Sequence, residues 1–209
     1  EKIGPLSISC CEIGGANTGD CMNQNSRSYR YVAYLLLGFF VTAATAEETS
    51  LRRYPLADHS SIQLNVPASW KDEVRQPPKG LPPTIWFGPQ TGASFKALVT
   101  PLWPRKKDVP PASADKIRQL VHQEARRVKP VAVEKTIAIK ELKGSSSIGY
   151  YFSVTDRAPK KGEYKYMTQG IIRIGEVLTT FTILTNDGQE SIVSEAIAML
   201  KGAVHEKAI

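Results

Sequence analysis

Apolar residues along this chain recur with two different spacings, and the switches between them mark out its elements. Ile62, Leu64 and Val66 alternate with Gln63 and Asn65, the period of a half-buried strand, which closes at Pro67. Trp70 follows in "VPASW", and "SWKDE" reads as a solvated turn after that strand. Thr84–Phe87, between the prolines of "PPTIWFGP", is a second short strand. In "SFKALVTPLW", Phe95, Ala97 and Val99 fall on one side, with Lys96, Leu98 and Thr100 on the other, until Pro101 and Pro104 close the run. The period then changes. After Pro110 and Pro111, Ser113 is placed to cap a helix whose Ile117, Leu120, Val121, Ala125 and Val128 recur at helical spacing. Pro130 ends it.

Four strands are expected next. The first lies within Val131–Leu142, beginning after Glu134. The second is Ile148–Asp156, with Ile148, Tyr150, Phe152 and Val154 on one face. The third is Tyr164–Ile174 and the fourth Val177–Thr185. Gly175-Glu176 between the last two suits a two-residue turn of type II′, which makes them antiparallel neighbours. The fourth is apolar or threonine on both faces, which predicts a central strand covered on both sides. The closing helix lies in "NDGQESIVSEAIAMLKGAV". Asp187 and Glu190 are spaced for a capping box, and Ile192, Val193, Ala196, Ile197 and Leu200 form its buried stripe. The order βββ-α-ββββ-α predicts an α+β fold: an antiparallel sheet of about six to seven strands flanked by two main helices, an α/β/α sandwich.

The stretch "MNQNSRSYRYVAYLLLGFFVTAATAEET", Met22–Thr49, changes what counts as the domain. Arg27 and Arg30 precede an apolar run from Tyr31 to Val41, and Ala44-Thr45-Ala46 follows. That is the pattern of a secretory signal peptide over 22–46, cleaved after Ala46. The run is short for a spanning helix, which needs about 20 residues. The alternatives are a buried core helix or an uncleaved anchor. Residues 1–21 would then be non-native upstream translation or a disordered leader. A single domain over 47–209 is left, placed in the periplasm or secreted.

Cys10, Cys11 and Cys21 all precede Met22, so that domain needs no disulfide and offers no thiol chemistry. Its charge stays at +7, because the removed Lys2, Arg27 and Arg30 balance Glu1, Glu12 and Asp20. Much of the excess sits beside prolines, in "RQPPKG" (75–80), "WPRKKDVPP" (103–111) and "APKKGE" (158–163). Basic loops favour acidic proteins or anionic lipid, while export makes nucleic acid a poor match.

No nucleotide-binding, zinc-protease or nucleophile-elbow motif is present. "KGSSSIG" (143–149) reads as a polar turn, and His59, His122 and His205 lack the spacing of metal ligands. Neither a metal nor a cofactor is expected. The segment 149–170 carries the best binding candidates: Asp156 and Arg157 at a strand end, Lys160 and Lys161 in the loop, then Tyr164 and Tyr166. Tyrosine and arginine suit binding because they combine area with a polar tip. The plainer account is a hairpin whose Asp156 caps the turn. Trp86 and Trp103, each beside a proline-rich loop, are further candidates, with loop anchoring or core use as the plainer account.

The alternating strand closing in "NVPASW" resembles the strand-then-Pro-x-x-Trp opening of PsbP-like and DcrB-like proteins. The element order over most of 58–204 is also similar. The resemblance implies an antiparallel sheet with helices on both faces, action by docking to partners, and no catalytic residues to carry over. The first functional expectation is therefore a non-enzymatic, exported accessory or binding protein that docks to an acidic protein partner or an anionic membrane surface. The alternative is a small-ligand carrier, its pocket between sheet and helix lined by Trp86, Trp103 and tyrosines. A third reading, a hydrolase, needs carboxylates such as Asp72, Glu73 and Asp156 to face each other across a cleft.

Overall fold

A computed structural model describes residues 48–56, 60–77, 82–102 and 110–206. The signal-peptide stretch 22–46, the leader 1–21, His59 and Trp103 lie outside the described residues. The elements run β1 (Thr49–Leu56), β2 (Ser60–Pro67), β3 (Trp70–Arg75), β4 (Thr84–Pro89), β5 (Lys96–Leu102), α1 (Ala114–Val128), β6 (Lys140–Lys143), β7 (Ser147–Thr155), β8 (Tyr166–Ile174), β9 (Val177–Thr185), α2 (Glu190–Lys201) and β10 (Val204–Glu206). A 3-10 turn, Lys129–Val131, follows α1. The fold is α+β and every strand pairing is antiparallel.

Two sheets form, one of three strands in the order β1-β2-β10 and one of seven in the order β3-β4-β5-β9-β8-β7-β6. Ile62, Leu64 and Val66 are fully buried, as their alternation requires, but they belong to the small sheet. Three strands were not expected. β1 contributes only Tyr54 and Leu56 to the core, and Leu51 points into solvent. "SWKDE" is not a turn: Trp70 to Arg75 form β3, an edge strand that buries Trp70 and leaves most of its charges in water. β10 is three residues long and pairs with β2. Arg52 ties the small sheet to β3 by pairing with Asp72 and donating to the Trp70 carbonyl (3.1 Å). Tyr54 donates to the same carboxylate at 2.9 Å. Burial, then the Asp72 carboxylate beside it, push the Tyr54 phenol well above its usual range.

Side chains at alternate positions of β7, β8 and β9 enter different cores. Phe152, Val154 and Ile171 pack with Ile117, Val121 and Ala125 of α1. Ile172, Ile174, Phe181 and Ile183 pack with Ala196, Met199 and Leu200 of α2, and with the small sheet. β9 is the fourth of seven strands, as expected, but only one of its faces is sealed. Val177, Thr179, Phe181, Ile183 and Thr185 are buried, whereas Leu178, Thr180, Thr182 and Leu184 are half-buried. α1 lies over β7 and β8 and does not extend across the rest of the sheet.

The helix starts differ from each other. Ser113 caps α1 as its position predicts, accepting from the Lys116 amide at 3.2 Å. The capping box at α2 does not form. Gln189 stands at the N-cap without a side-chain cap bond, because the Asp187 carboxylate is taken by Lys165 (2.8 Å) and Tyr166 (2.6 Å). The strand expected within Val131–Leu142 shrinks to Lys140–Lys143. Only Ala132 bridges to Asp156 before it, and Glu134 meets the β7 edge with its side chain instead of its backbone. The β8–β9 hairpin turns at Gly175 with φ +57°, the left-handed conformation its turn needs.

Candidate functional site

α2 is fastened at both ends. At its start, the Gln189 amide donates to the Ala93 and Ser94 carbonyls (both 3.3 Å) and its Oε1 accepts from the Asn186 amide (2.8 Å). At its finish, Ser147 donates to the Lys201 carbonyl (3.1 Å) and Ser146 to the Ala203 carbonyl (3.3 Å). Gly144 is required there, since a Cβ would stand 2.0 Å from the Lys201 carbonyl oxygen. Between these two fastenings the helix does not close down on β7 and β8. A groove of about 620 Å³ is left.

Each wall of the groove follows from the strand alternation. Tyr151, Ser153 and Thr155 of β7 point into it, the positions between Phe152 and Val154, which face α1. Tyr166 and Thr168 of β8 and Thr185 at the end of β9 continue that floor. Val193, Ile197 and Ala198 of α2 supply an apolar wall. Tyr151 is set against Phe181, ring centroids 6.5 Å apart, over Gly170, where any Cβ would lie 2.5 Å from the Phe181 ring tip. Ser153 and Thr168 share a hydrogen bond of 2.8 Å across the strands.

Charge is distributed along the groove rather than mixed. Glu134 and Glu190 stand where β7 and β9 end, Lys140 stands opposite Tyr151 halfway along β7, and Lys201 stands at the far end beside Ser147. The Glu134 carboxylate accepts from the Thr155 amide (3.0 Å) and the Thr155 hydroxyl (2.8 Å). Burial works against its charge, but these Thr155 bonds outweigh it and hold the carboxyl below its usual range. The Lys140 ammonium lies 5.9 Å from the Tyr151 ring centroid, within cation–π reach. Just outside, Lys165 and Tyr166 converge on Asp187. Their hydrogen bonds lower the Asp187 carboxyl, and Asp187, then Tyr166, raise the Lys165 ammonium.

Among the described residues expected from sequence as binding candidates, Tyr166 alone lines this groove, and its hydroxyl is committed to Asp187. Asp156 caps its turn by accepting from the Ala158 amide at 2.9 Å. Arg157 donates to the Ala132 carbonyl at 2.8 Å and so pins the hairpin to the turn after α1. Lys160 and Lys161 are exposed in the loop, which closes on itself through Glu163. Tyr164 precedes β8, with the Lys96 ammonium 5.7 Å from its ring centroid. Trp86 lies on the other face of the sheet, between Arg75 (5.1 Å) and Lys71 (6.0 Å), so the structure does not gather it with Tyr151 and Tyr166. Five inter-strand steps separate Asp72 from Asp156, about 24 Å at ~4.8 Å each, and no cleft brings them together.

The described residues that flank the basic stretches lie at two different ends of the large sheet. The register puts Arg75, Thr84 and Leu102 at one end of the large sheet, and Thr155, Tyr166 and Lys96 at the other. The chain therefore enters "RQPPKG" and "WPRKKDVPP" from the end opposite to "APKKGE".

Sequence reasoning missed Glu134, Lys140, Tyr151, Ser153, Glu190, Ile197 as a wall residue, and Lys201. The available signal was the second face of β7, where tyrosine, serine and threonine alternate with the core positions. No protein-family model and no curated protein sequence matches this chain. No helix among the described residues is long and apolar enough to cross a membrane.

Proposed function

We propose that this protein is a non-enzymatic, exported binding protein that carries a small ligand in the groove between α2 and the sheet. One observation carries the reading: an open groove of about 620 Å³ with an apolar helix wall and a floor of aromatic rings and hydroxyls. Ligand sites fall in the range of about 300–1,000 Å³ and combine apolar walls with a few oriented polar groups. The floor hydroxyls bond to one another or to a carboxylate: Ser153 to Thr168, and Thr155 to Glu134. That arrangement suits holding a ligand rather than attacking one. Export rests on the signal-like segment 22–46. In this reading the large sheet lies between the two helices, the three-layer sandwich that the PsbP-like resemblance implies.

The test is a ligand screen on the purified protein, read by chemical-shift changes in NMR. Saturable shifts at Tyr151, Ser153 and Ile197, abolished in Ala198→Trp, are the expected result. Ala198 is exposed within the groove, so the indole fills it without entering the core. Ligands that shift residues elsewhere, or bind the variant equally well, would overturn the reading.

A further inference from the structure

We infer that the groove's ligand is a short peptide in extended form with both ends free, its ammonium held toward Glu134 and Glu190 and its carboxylate between Lys140 and Lys201. This rests on the carrier reading above and names the ligand class. Four charges line one groove, and none of them forms an ion pair with another described residue. Elsewhere on the surface, opposite charges within reach do pair, as Arg53 with Glu206 and Arg127 with Glu124. Here Glu190 and Lys201 are kept apart by the length of the helix, and Glu134 and Lys140 by four residues of β7. Glu190 to Lys201 covers about 16 Å at ~1.5 Å per residue. An extended chain advances about 3.3–3.6 Å per residue, so four or five residues span that distance.

The middle of the groove fits the same occupant. A peptide backbone offers amides and carbonyls along its length, and the floor offers the Ser153–Thr168 pair at one level and Asn186 beyond the end of β9. Of the two hydroxyl protons on Ser153 and Thr168, their mutual bond uses one and leaves one to donate. Val193 and Ile197, one turn apart on α2, present apolar surface to side chains pointing toward the helix. The charge order sets polarity: the amino end lies toward the start of α2 and the carboxyl end toward its finish. The glutamates at one end and Lys201 at the other, with Lys140 between them, match a free-ended peptide in one direction only.

The experiment is a calorimetric titration of the purified protein with the pentapeptide Ala-Leu-Ala-Val-Ala in four forms: free-ended, N-acetylated, C-amidated and doubly blocked. The free form is expected to bind tightest, with about fivefold weakening for each blocked end. In a Lys140→Glu, Lys201→Glu variant the penalty for amidation should vanish while the penalty for acetylation persists. Melting temperature and amide spectra check that the variant is folded, and both lysines are exposed. Equal binding of all four forms, or none by the free form, overturns the peptide assignment. If a screened ligand still binds in a manner that Ala198→Trp abolishes, the carrier reading stands without it. Peptide binding that Ala198→Trp leaves intact overturns the groove itself as the site.

Discussion

On β7, Phe152 and Val154 lie beneath α1 with almost no surface left to water, while Tyr151, Ser153 and Thr155, one residue away along the same strand, line an open groove beneath α2. The two helices are of similar length, but α1 presents its apolar face to β7 and β8, and α2 to β2, β9 and β6. They differ in how they are held. α1 is held by its contacts: Ile117 and Val121 are fully buried in the sheet, each worth about 1.5–3 kcal/mol. α2 also buries a face, Ala196, Met199 and Leu200, but it is bonded at its two ends as well, by Gln189 and by Ser146 and Ser147, and its Val193–Ala198 flank stands clear of β7 and β8. A helix fastened at its ends as well as by one face can keep a gap under its other flank. The lesson is that an element's tolerance for function is set by where its fastenings are.

That contrast is open to attack from both sides. The largest effect is expected on the sealed side: Phe152→Ala should lose about 3–5 kcal/mol in urea unfolding, because a fully buried ring leaves a cavity. By contrast Ala198→Trp, in the groove, should stay within about 0.5 kcal/mol of the native protein. A Phe152→Ala loss under 1 kcal/mol would mean that α1 is not the sealed helix. Next comes the groove floor. Gly170→Ala sets a Cβ 2.5 Å from both the Phe181 ring and the Tyr150 carbonyl, for a cost of about 1–3 kcal/mol, and should displace Tyr151 in NMR spectra. Ser113→Ala removes the α1 cap and should cost about 1 kcal/mol, measured in the same titration.

The smallest effect is electrostatic. Glu134 is held below its usual range in the folded state, so the stability it adds is present above the unfolded value of about pH 4.3 and is lost as pH falls through the lower, folded value. Thr155 amide protection from hydrogen exchange should weaken over that window, and Glu134→Gln should remove the step. A native profile identical to that of Glu134→Gln would show that the carboxylate does not hold the β7 edge.

How much of this was legible in the sequence depended on whether a segment's neighbours announce it. Val177–Thr185 was readable to the residue, since a glycine turn precedes it and "NDG" follows. α1 was readable from its cap and its stripe. β3 was not, because an edge strand buries one residue in six and its Lys71, Asp72 and Glu73 look like a solvated turn. β1 hid for a similar reason, with a proline inside it and Leu51 outside. The capping box at α2 failed because a hairpin more than twenty residues earlier supplies Lys165 and Tyr166 to Asp187. The groove was the least legible feature. Its charges come from positions 134, 140, 190 and 201, with no local motif linking them, and only the antiparallel register brings them together. The loop candidates Asp156 and Arg157 carried the right chemistry, but the hairpin spends it on its own turn.

β10 pairs with β2 across most of the chain, and Glu206 receives Arg53, Ser61 and Gln63. β2 is made long before its partner, and α2, the cover for Ile172 and Phe181, follows every strand of the large sheet in the chain. The main core therefore cannot close until α2 and β10 have been made, and because those pairings bridge distant parts of the chain their closure is a late and slow step.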